Sequence, residues 1–187
     1  MNTDLPSTDP IISQFRISPD LMPKMSTPTM APNYTSIRKF QVALEENALA
    51  IQSHQSELGH LALVITPEAY LEANDNNKFE EPTDPGLVPL DPTEFFSTQA
   101  SADNDVAILP YTAAATMRNF NFAQQEFFQF KATKAALRNF ILNSIDEKYI
   151  KSLKNEHTRY AKVTPLNLMT HIWTTYGTVD DADQTHN

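Results

Sequence analysis

Two blocks of proline constrain the fold of this chain more than any other feature of its sequence. Six of the 13 prolines lie in residues 1–33 and five lie in residues 82–110 of the 187-residue chain. Proline removes a backbone donor and breaks a helix interior, so neither block is expected to hold a stable helix of any length. We expect residues 1–33 to be a disordered arm, and residues 74–110 to be a long mobile loop in which residues 94–98 can form one helical turn.

Between the two blocks, apolar residues recur at the three- and four-residue steps of an amphipathic helix. The residues that follow this spacing are Ile37, Phe40, Leu44, Ala48 and Ile51. The helix is predicted to begin at Tyr34, after a cap at Asn33 or Thr35. The run from Leu61 to Ile65 is apolar on all sides, and periodicity leaves open whether it is a buried strand or a helical turn.

Two further helices are predicted by a shared capping pattern. Thr66-Pro67 and Thr164-Pro165 each place a hydroxyl at the cap and a proline at the first helical position. The first predicts a short helix over 67–73. The second predicts a final helix that ends at Gly177, with this glycine in the left-handed conformation. Trp173 is expected to anchor this helix in the core.

The second half of the chain gives the strongest helical pattern. Its apolar positions are Ala113, Met117, Phe120, Ala123, Phe127, Phe130, Leu137, Ile141 and Ile145. A bend is expected near residues 131–134. A short helix is expected over about 146–155, with Tyr149, Ile150 and Leu153 inward. Phe122 and Phe128 lie off the apolar face.

These patterns predict an all-α fold, a small bundle of about five to six helices. The helical domain spans residues 34–179, and residues 180–187 form an acidic tail. No internal repeat extends beyond the shared caps.

The residues that many enzymes need for chemistry are missing or scattered. The chain has no cysteine, which excludes disulfides, thiolate nucleophiles and cysteine-ligated zinc. Its three glycines are isolated, so no phosphate-binding loop is present. The histidines show no metal-ligand spacing, and His54 and His60, six residues apart, are expected to be structural or surface residues. We expect no catalytic residue, no cofactor, no metal site and no small-molecule substrate.

The polar N-terminus has no basic or apolar region and is not expected to be a signal peptide, and the longest apolar run is far too short to cross a bilayer. We therefore expect a soluble cytoplasmic protein without a membrane partner.

Charge is distributed unevenly along the chain, whose net charge is −9. Residues 1–110 hold five Lys and Arg against 16 Asp and Glu, whereas residues 111–179 hold nine against four. Such asymmetry suits self-association or weak attraction to RNA, although ordinary solvated helix faces give the same pattern. The candidate RNA contacts are Lys131, Lys134, Arg138, Lys148, Lys151, Lys154, Arg159 and Lys162.

Four stretches of the chain resemble one protein family over about residues 34–181. They are Gly59 to Tyr70, Lys134 to Leu137, Ile145 to Ile150, and Tyr160 to Val179. In these stretches the chain resembles the Gag-type proteins of copia-type long-terminal-repeat retrotransposons, in the versions abundant in diatoms and other algae. The resemblance implies the N-terminal helical region of a capsid protein, which polymerises into virus-like particles around the element's RNA.

The chain departs from this family in three respects. The family's polyproteins carry a Cys/His zinc knuckle for RNA, and this chain has no cysteine. It also lacks the Asp-Ser/Thr-Gly of an aspartic protease, and it stops soon after Gly177, where the family continues into a second capsid region. We therefore expect a fragment, a truncated copy or a stand-alone derivative.

Three functions follow as hypotheses. The first is a structural, self-assembling protein of capsid type and therefore a homo-oligomer. The second is a weak, non-specific RNA-binding module, or a domesticated Gag-derived domain for protein interaction. The third, an enzyme of an unrecognised type, is the least favoured.

Overall fold

The computed structural model describes residues 9–86 and 109–178, with the backbone alone over residues 109–114. The described residues divide into two compact units, one made of 9–80 and 131–178 and the other of 81–86 and 109–130. Their α-helices are α1 (Asp9–Ile12), α2 (Tyr34–Ala50), α3 (Pro67–Ala73), α4 (Leu109–Ser144) and α5 (Pro165–Tyr176). Short 3-10 helices cover Pro19–Leu21, Leu61–Leu63, Glu147–Tyr149 and Lys151–Leu153. No β-strand occurs in these two ranges, so the all-α prediction is confirmed.

Helix α2 begins where the sequence predicts, and Asn33 is its cap. The Asn33 side chain accepts a hydrogen bond from the Ser36 backbone at 2.9 Å, and the Ser36 hydroxyl accepts one from the Asn33 backbone at 3.1 Å. This reciprocal pair satisfies two donors at the helix N-terminus. All five apolar residues that predicted the helix are buried, together with Ala43 and Asn47.

The chain turns back on the C-terminal end of α2 through Gly59 and His60. Gly59 has a φ of +55°, and a Cβ atom there would lie only 2.8 Å from the carbonyl oxygen of Ala48. Glycine is therefore required at this position both by conformation and by close approach. The His60 amide donates to the same Ala48 oxygen at 3.0 Å, which caps α2.

The two Thr-Pro pairs cap helices as predicted. Thr66 accepts from the Ala69 amide at 3.3 Å, and Thr164 accepts from the Asn167 amide at 3.1 Å. The undecided segment that starts at Leu61 forms a 3-10 turn.

Two details of the predicted helices differ. Gly177 ends α5 with a φ of −83°, so it is not left-handed. A Cβ atom on Gly177 would instead collide with Cε3 of Trp173. Glycine is therefore required here because the indole ring lies so close to the backbone. The expected short helix over 146–155 is two 3-10 turns, in which Ile150 is buried while Tyr149 and Leu153 are half-buried.

Helix α4 continues through residues 131–134, so the expected bend does not interrupt it. It begins at Leu109, so its first two residues fall within the expected proline-rich loop. Phe120 and Phe130 are buried as predicted, and Phe127 is half-buried. Phe122 and Phe128, predicted to lie off the apolar face, are each 45% exposed.

The expectation of a disordered N-terminal arm is wrong for residues 9–33. This segment forms only one turn of α-helix and one 3-10 turn, but it packs closely against the rest of the first unit. Its buried side chains include Ile11, Phe15, Met22 and Met25. The Phe15 ring lies 4.9 Å from the ring of Phe140 on α4. Proline prevents helix here without preventing burial, because an irregular segment can still fill a groove between helices.

Two sets of hydrogen bonds hold this N-terminal segment. The buried Asn47 side chain accepts from the Ile17 amide at 2.8 Å and donates to the Ile17 carbonyl at 3.0 Å. At the other end, the Met25 amide donates to the Ser144 carbonyl at 2.8 Å, and Lys24 Nζ donates to the Asn143 carbonyl at 2.8 Å. The segment therefore joins α2 to the C-terminal end of α4, whose last carbonyls it caps.

The core of the first unit lies between the apolar faces of α2, α5 and the C-terminal half of α4. Its largest fully buried members include Phe40, Leu44, Leu137, Ile141, Ile150, Leu168 and Ile172. None of the helices described in residues 9–86 and 109–178 combines the length and hydropathy that crossing a membrane requires.

Some predictions concern residues outside the described ranges. These are the first eight residues of the arm, most of the expected loop (87–108) with its possible turn at 94–98, and the acidic tail. In the described part of the loop, α3 is followed by a turn over Asn74–Asn76 and then by non-helical backbone to Gly86.

Candidate interaction surface

Helix α2 exposes apolar side chains on the face opposite its buried one. Tyr34 and Leu49 are each 43% exposed and Val42 is 40% exposed. Val42 and Leu49 are seven residues apart, so they lie on one side of the helix. Exposed apolar residues are common singly, but their alignment along one helix is typical of a contact surface.

An open groove of about 580 Å³ borders this face of α2. It lies between α2, α3, α5 and the 3-10 turn at Leu61 within the first unit. Its floor is apolar, with Leu61, Val64 and Met169. Polar side chains at its rim are Arg38, Gln41, Glu45, Thr66, Thr170 and Thr174. An apolar floor with a polar rim is the usual composition of a binding groove.

Trp173 forms one edge of this groove, and its placement corrects the expectation that it anchors the core. The residue is only half-buried. Its indole Nε1 donates to Gln41 Oε1 at 2.6 Å, and Gln41 Nε2 donates to Glu45 at 2.7 Å. The Tyr34 ring packs edge-on against the Trp173 ring at 5.5 Å. This hydrogen-bonded series fixes the orientation of the groove side chains between α5 and α2.

The eight basic residues predicted to contact RNA are distributed over α4, the two 3-10 turns and the loop before α5. Arg138 and residues 159–162 come together, because Arg138 donates to the Ala161 carbonyl at 2.7 Å. Burial lowers the pKa of Arg138, and its guanidinium holds the loop against α4. Lys131, Lys151 and Lys162 are exposed. The structure therefore does not align all eight charges in one strip.

Acidic neighbours reduce the positive charge at the 3-10 turns. Lys148 lies 3.8 Å from the Asp146 carboxylate, and Lys154 forms an ion pair with Glu147. A hydrogen bond from Lys154 and then its charge lower the pKa of Glu147. Tyr160 lies beside this pair, in a pocket of about 240 Å³. Burial, and then the negative charge of Glu147, raise the pKa of Tyr160.

Of the histidines in the described residues, His60 has the most unusual surroundings. It is buried, and its Nδ1 lies 3.2 Å from the Ile51 carbonyl oxygen. Burial lowers the pKa of His60, so the neutral ring is favoured. In the two described ranges, no three His, Asp or Glu side chains are placed to share a metal ion. His60 acts with Gly59 in closing α2, which agrees with the structural role expected for it.

The sequence reasoning did not identify the α2 face or the groove. A helical projection of α2 could have predicted the exposed face, since Val42 and Leu49 fall opposite the residues that predicted the buried face. The groove had no such signal, because α3 and α5 are about a hundred residues apart in sequence. No protein-family model, curated protein or solved structure matches the chain.

Proposed function

We propose that this chain is a structural protein that assembles with copies of itself, and not an enzyme. The observation that carries the proposal is the line of exposed apolar side chains on α2 beside an open apolar groove. Burial of such surface drives association between proteins, at roughly 25 cal/mol per Å² before the costs of binding are subtracted. The charge asymmetry along the sequence is a second feature suited to contact between copies.

The resemblance to the capsid region of copia-type Gag proteins supports the same proposal. The implied capsid region is helical, and the described residues are helical too. The all-α fold is shared by many unrelated functions, so the fold alone does not decide the function. A domesticated Gag-derived domain that binds a different protein would use the same kind of surface.

The test is the molar mass of the purified chain over a concentration series, measured by light scattering after size exclusion. We expect the mass to rise above 21.1 kDa as concentration increases. Negative-stain microscopy of the most concentrated samples then shows whether particles form. A mass that stays at the monomer value up to millimolar concentration would reject self-assembly.

Weak, non-specific RNA binding is a second candidate, supported by the exposed Lys151 and Lys162 and by the contact of Arg138 with the loop that carries Arg159. About four phosphate contacts to single-stranded RNA predict a log–log salt slope near −3. Affinity then falls roughly 60-fold for a fourfold rise in salt.

Fluorescence anisotropy with a labelled RNA measures this slope. The combined change of Lys148, Lys151 and Lys154 to Glu is expected to abolish binding without loss of helicity. The matched control reverses the charge of Arg16, Lys78 and Arg118, three exposed residues outside the predicted RNA contacts and outside the exposed face of α2. Sequence-selective binding that persists at high salt would instead place RNA recognition ahead of self-assembly.

A further inference from the structure

The outward face of α2 carries charges that are arranged symmetrically about Val42. Basic residues lie three and four positions before it, at Lys39 and Arg38, and acidic residues lie three and four positions after it, at Glu45 and Glu46. At about 100° per residue, all four lie within about 60° of Val42 around the helix. The exposed apolar residue is thus flanked by two positive and two negative charges.

These charges are badly placed to neutralise one another within α2. The opposite charges are six to eight residues apart, which is about 9 to 12 Å along the axis. Ion pairs within a helix form at spacings of three or four residues. In the described part of the chain, Arg38, Lys39 and Glu46 enter no hydrogen bond or ion pair through their side chains. The pattern therefore calls for charges supplied from outside this helix.

A second copy of α2 supplies them when it packs antiparallel about a two-fold axis at Val42. Such an axis brings Val42 against its own equivalent. It also places Arg38 at nearly the level of Glu45 of the second copy and on the same side of the interface. Lys39 meets Glu46 of the second copy in the same way on the other side. Because the contact is isologous, each pair occurs twice.

The remaining exposed residues fit the same arrangement. Seven positions from the axis, Leu49 faces Thr35 of the second copy and lies next to its Tyr34. The three apolar side chains that α2 exposes, Tyr34, Val42 and Leu49, thus become covered. Gln41 already holds one oxygen of the Glu45 carboxylate at 2.7 Å, which orients this group before the second copy arrives.

We infer that α2 is a homodimerisation helix, which pairs with α2 of a second copy in antiparallel orientation about Val42. This inference rests on the proposed self-assembly and names its interface. A parallel pair would oppose Arg38 to Arg38 and Glu45 to Glu45, so the charges select the antiparallel arrangement.

Two charge-reversal variants of the full chain test the pairing. The acidic variant combines Arg38→Glu with Lys39→Glu, and the basic variant combines Glu45→Lys with Glu46→Lys. Each variant alone faces only like charges across the two-fold axis, so its dissociation constant is expected to rise about 30-fold or more. Mixed together, the two faces are complementary, and a heterodimer is expected. Light scattering and native mass spectrometry measure both results.

The control matched to the basic variant is Glu72→Lys with Glu80→Lys, which makes the same charge change at exposed residues away from this face. It is expected to associate like the wild type. Wild-type chain that stays monomeric overturns the proposed self-assembly and this interface together. Wild-type chain that associates, with both reversal variants unaffected, overturns the interface alone and leaves self-assembly standing.

A covalent test covers the case in which a reversal variant does not fold. The chain has no cysteine, so Val42→Cys introduces a single thiol at the proposed axis with little change in size. Under mild oxidation this variant is expected to form a disulfide-linked dimer much faster than Glu72→Cys on α3. Equal rates for the two variants would refute the arrangement.

Discussion

Replacing Asn47 with alanine is expected to lower the free energy of unfolding by about 2 to 4 kcal/mol. Asn47 is fully buried on α2, and its amide bonds both backbone groups of Ile17, at 2.8 and 3.0 Å. A net hydrogen bond contributes about 1 kcal/mol, so two account for about 2 kcal/mol. The rest comes from the unpaired groups of Ile17 and from the space that the amide leaves.

Besides lowering the stability of the whole fold, Asn47→Ala is expected to release the N-terminal segment locally, since Ile17 links this segment to α2. Urea denaturation followed by circular dichroism measures the free energy. Limited trypsin digestion reports the local release, because Arg16 lies next to the anchored residue and is expected to be cut faster in the variant.

The matched control is Asn167→Ala, the same substitution at an exposed helical position, which is expected to change stability by less than about 0.5 kcal/mol. If Asn47→Ala is equally mild and cleavage at Arg16 does not accelerate, Asn47 does not anchor the segment.

Two further predictions concern residues that close the ends of helices. Gly177→Ala is expected to lower the free energy of unfolding by about 1 to 3 kcal/mol and to change the fluorescence of Trp173, because the new methyl group collides with the indole ring. The backbone itself tolerates alanine, since the φ of this residue is −83°. Unchanged fluorescence and stability would show that the ring has free space. His60 has a lowered pKa in the folded state, so the unfolded state binds the proton more readily, and stability is expected to fall as the pH drops below about 6.5. Denaturation between pH 7.5 and 5 should give a shallower slope of stability against pH for His60→Gln than for the wild type, and an unchanged slope would refute this role of His60.

The parts of the fold that sequence predicted well are those set by neighbouring residues. The threonine caps and the apolar face of α2 depend on residues within one or two turns, so their signals are local. The position and type of α3 and α5 followed directly from the Thr-Pro pairs.

The parts that sequence missed depend on residues far apart in the chain. The anchoring of Ile17 by Asn47 spans 30 residues, and no local pattern marks it. Proline content suggested disorder for residues 9–33 because it reports helix propensity, whereas the segment is held by tertiary hydrogen bonds. At the candidate surface, the basic residues were found from composition, but the ion pair of Lys154 with Glu147 and the half-burial of Trp173 arise only from packing.

The contacts of the N-terminal segment also have a consequence for the order of folding. The Ser26 hydroxyl accepts from the Asp146 amide across 120 residues of sequence, and Lys24 reaches Asn143 across 119. During synthesis, this segment therefore leaves the ribosome before its partners, which are made more than a hundred residues later. Closing so long a loop is entropically costly, which makes this docking a late, slow step. Until the segment docks, the apolar side chains of Phe15, Met22 and Met25 are exposed in the nascent chain, where chaperones can bind them.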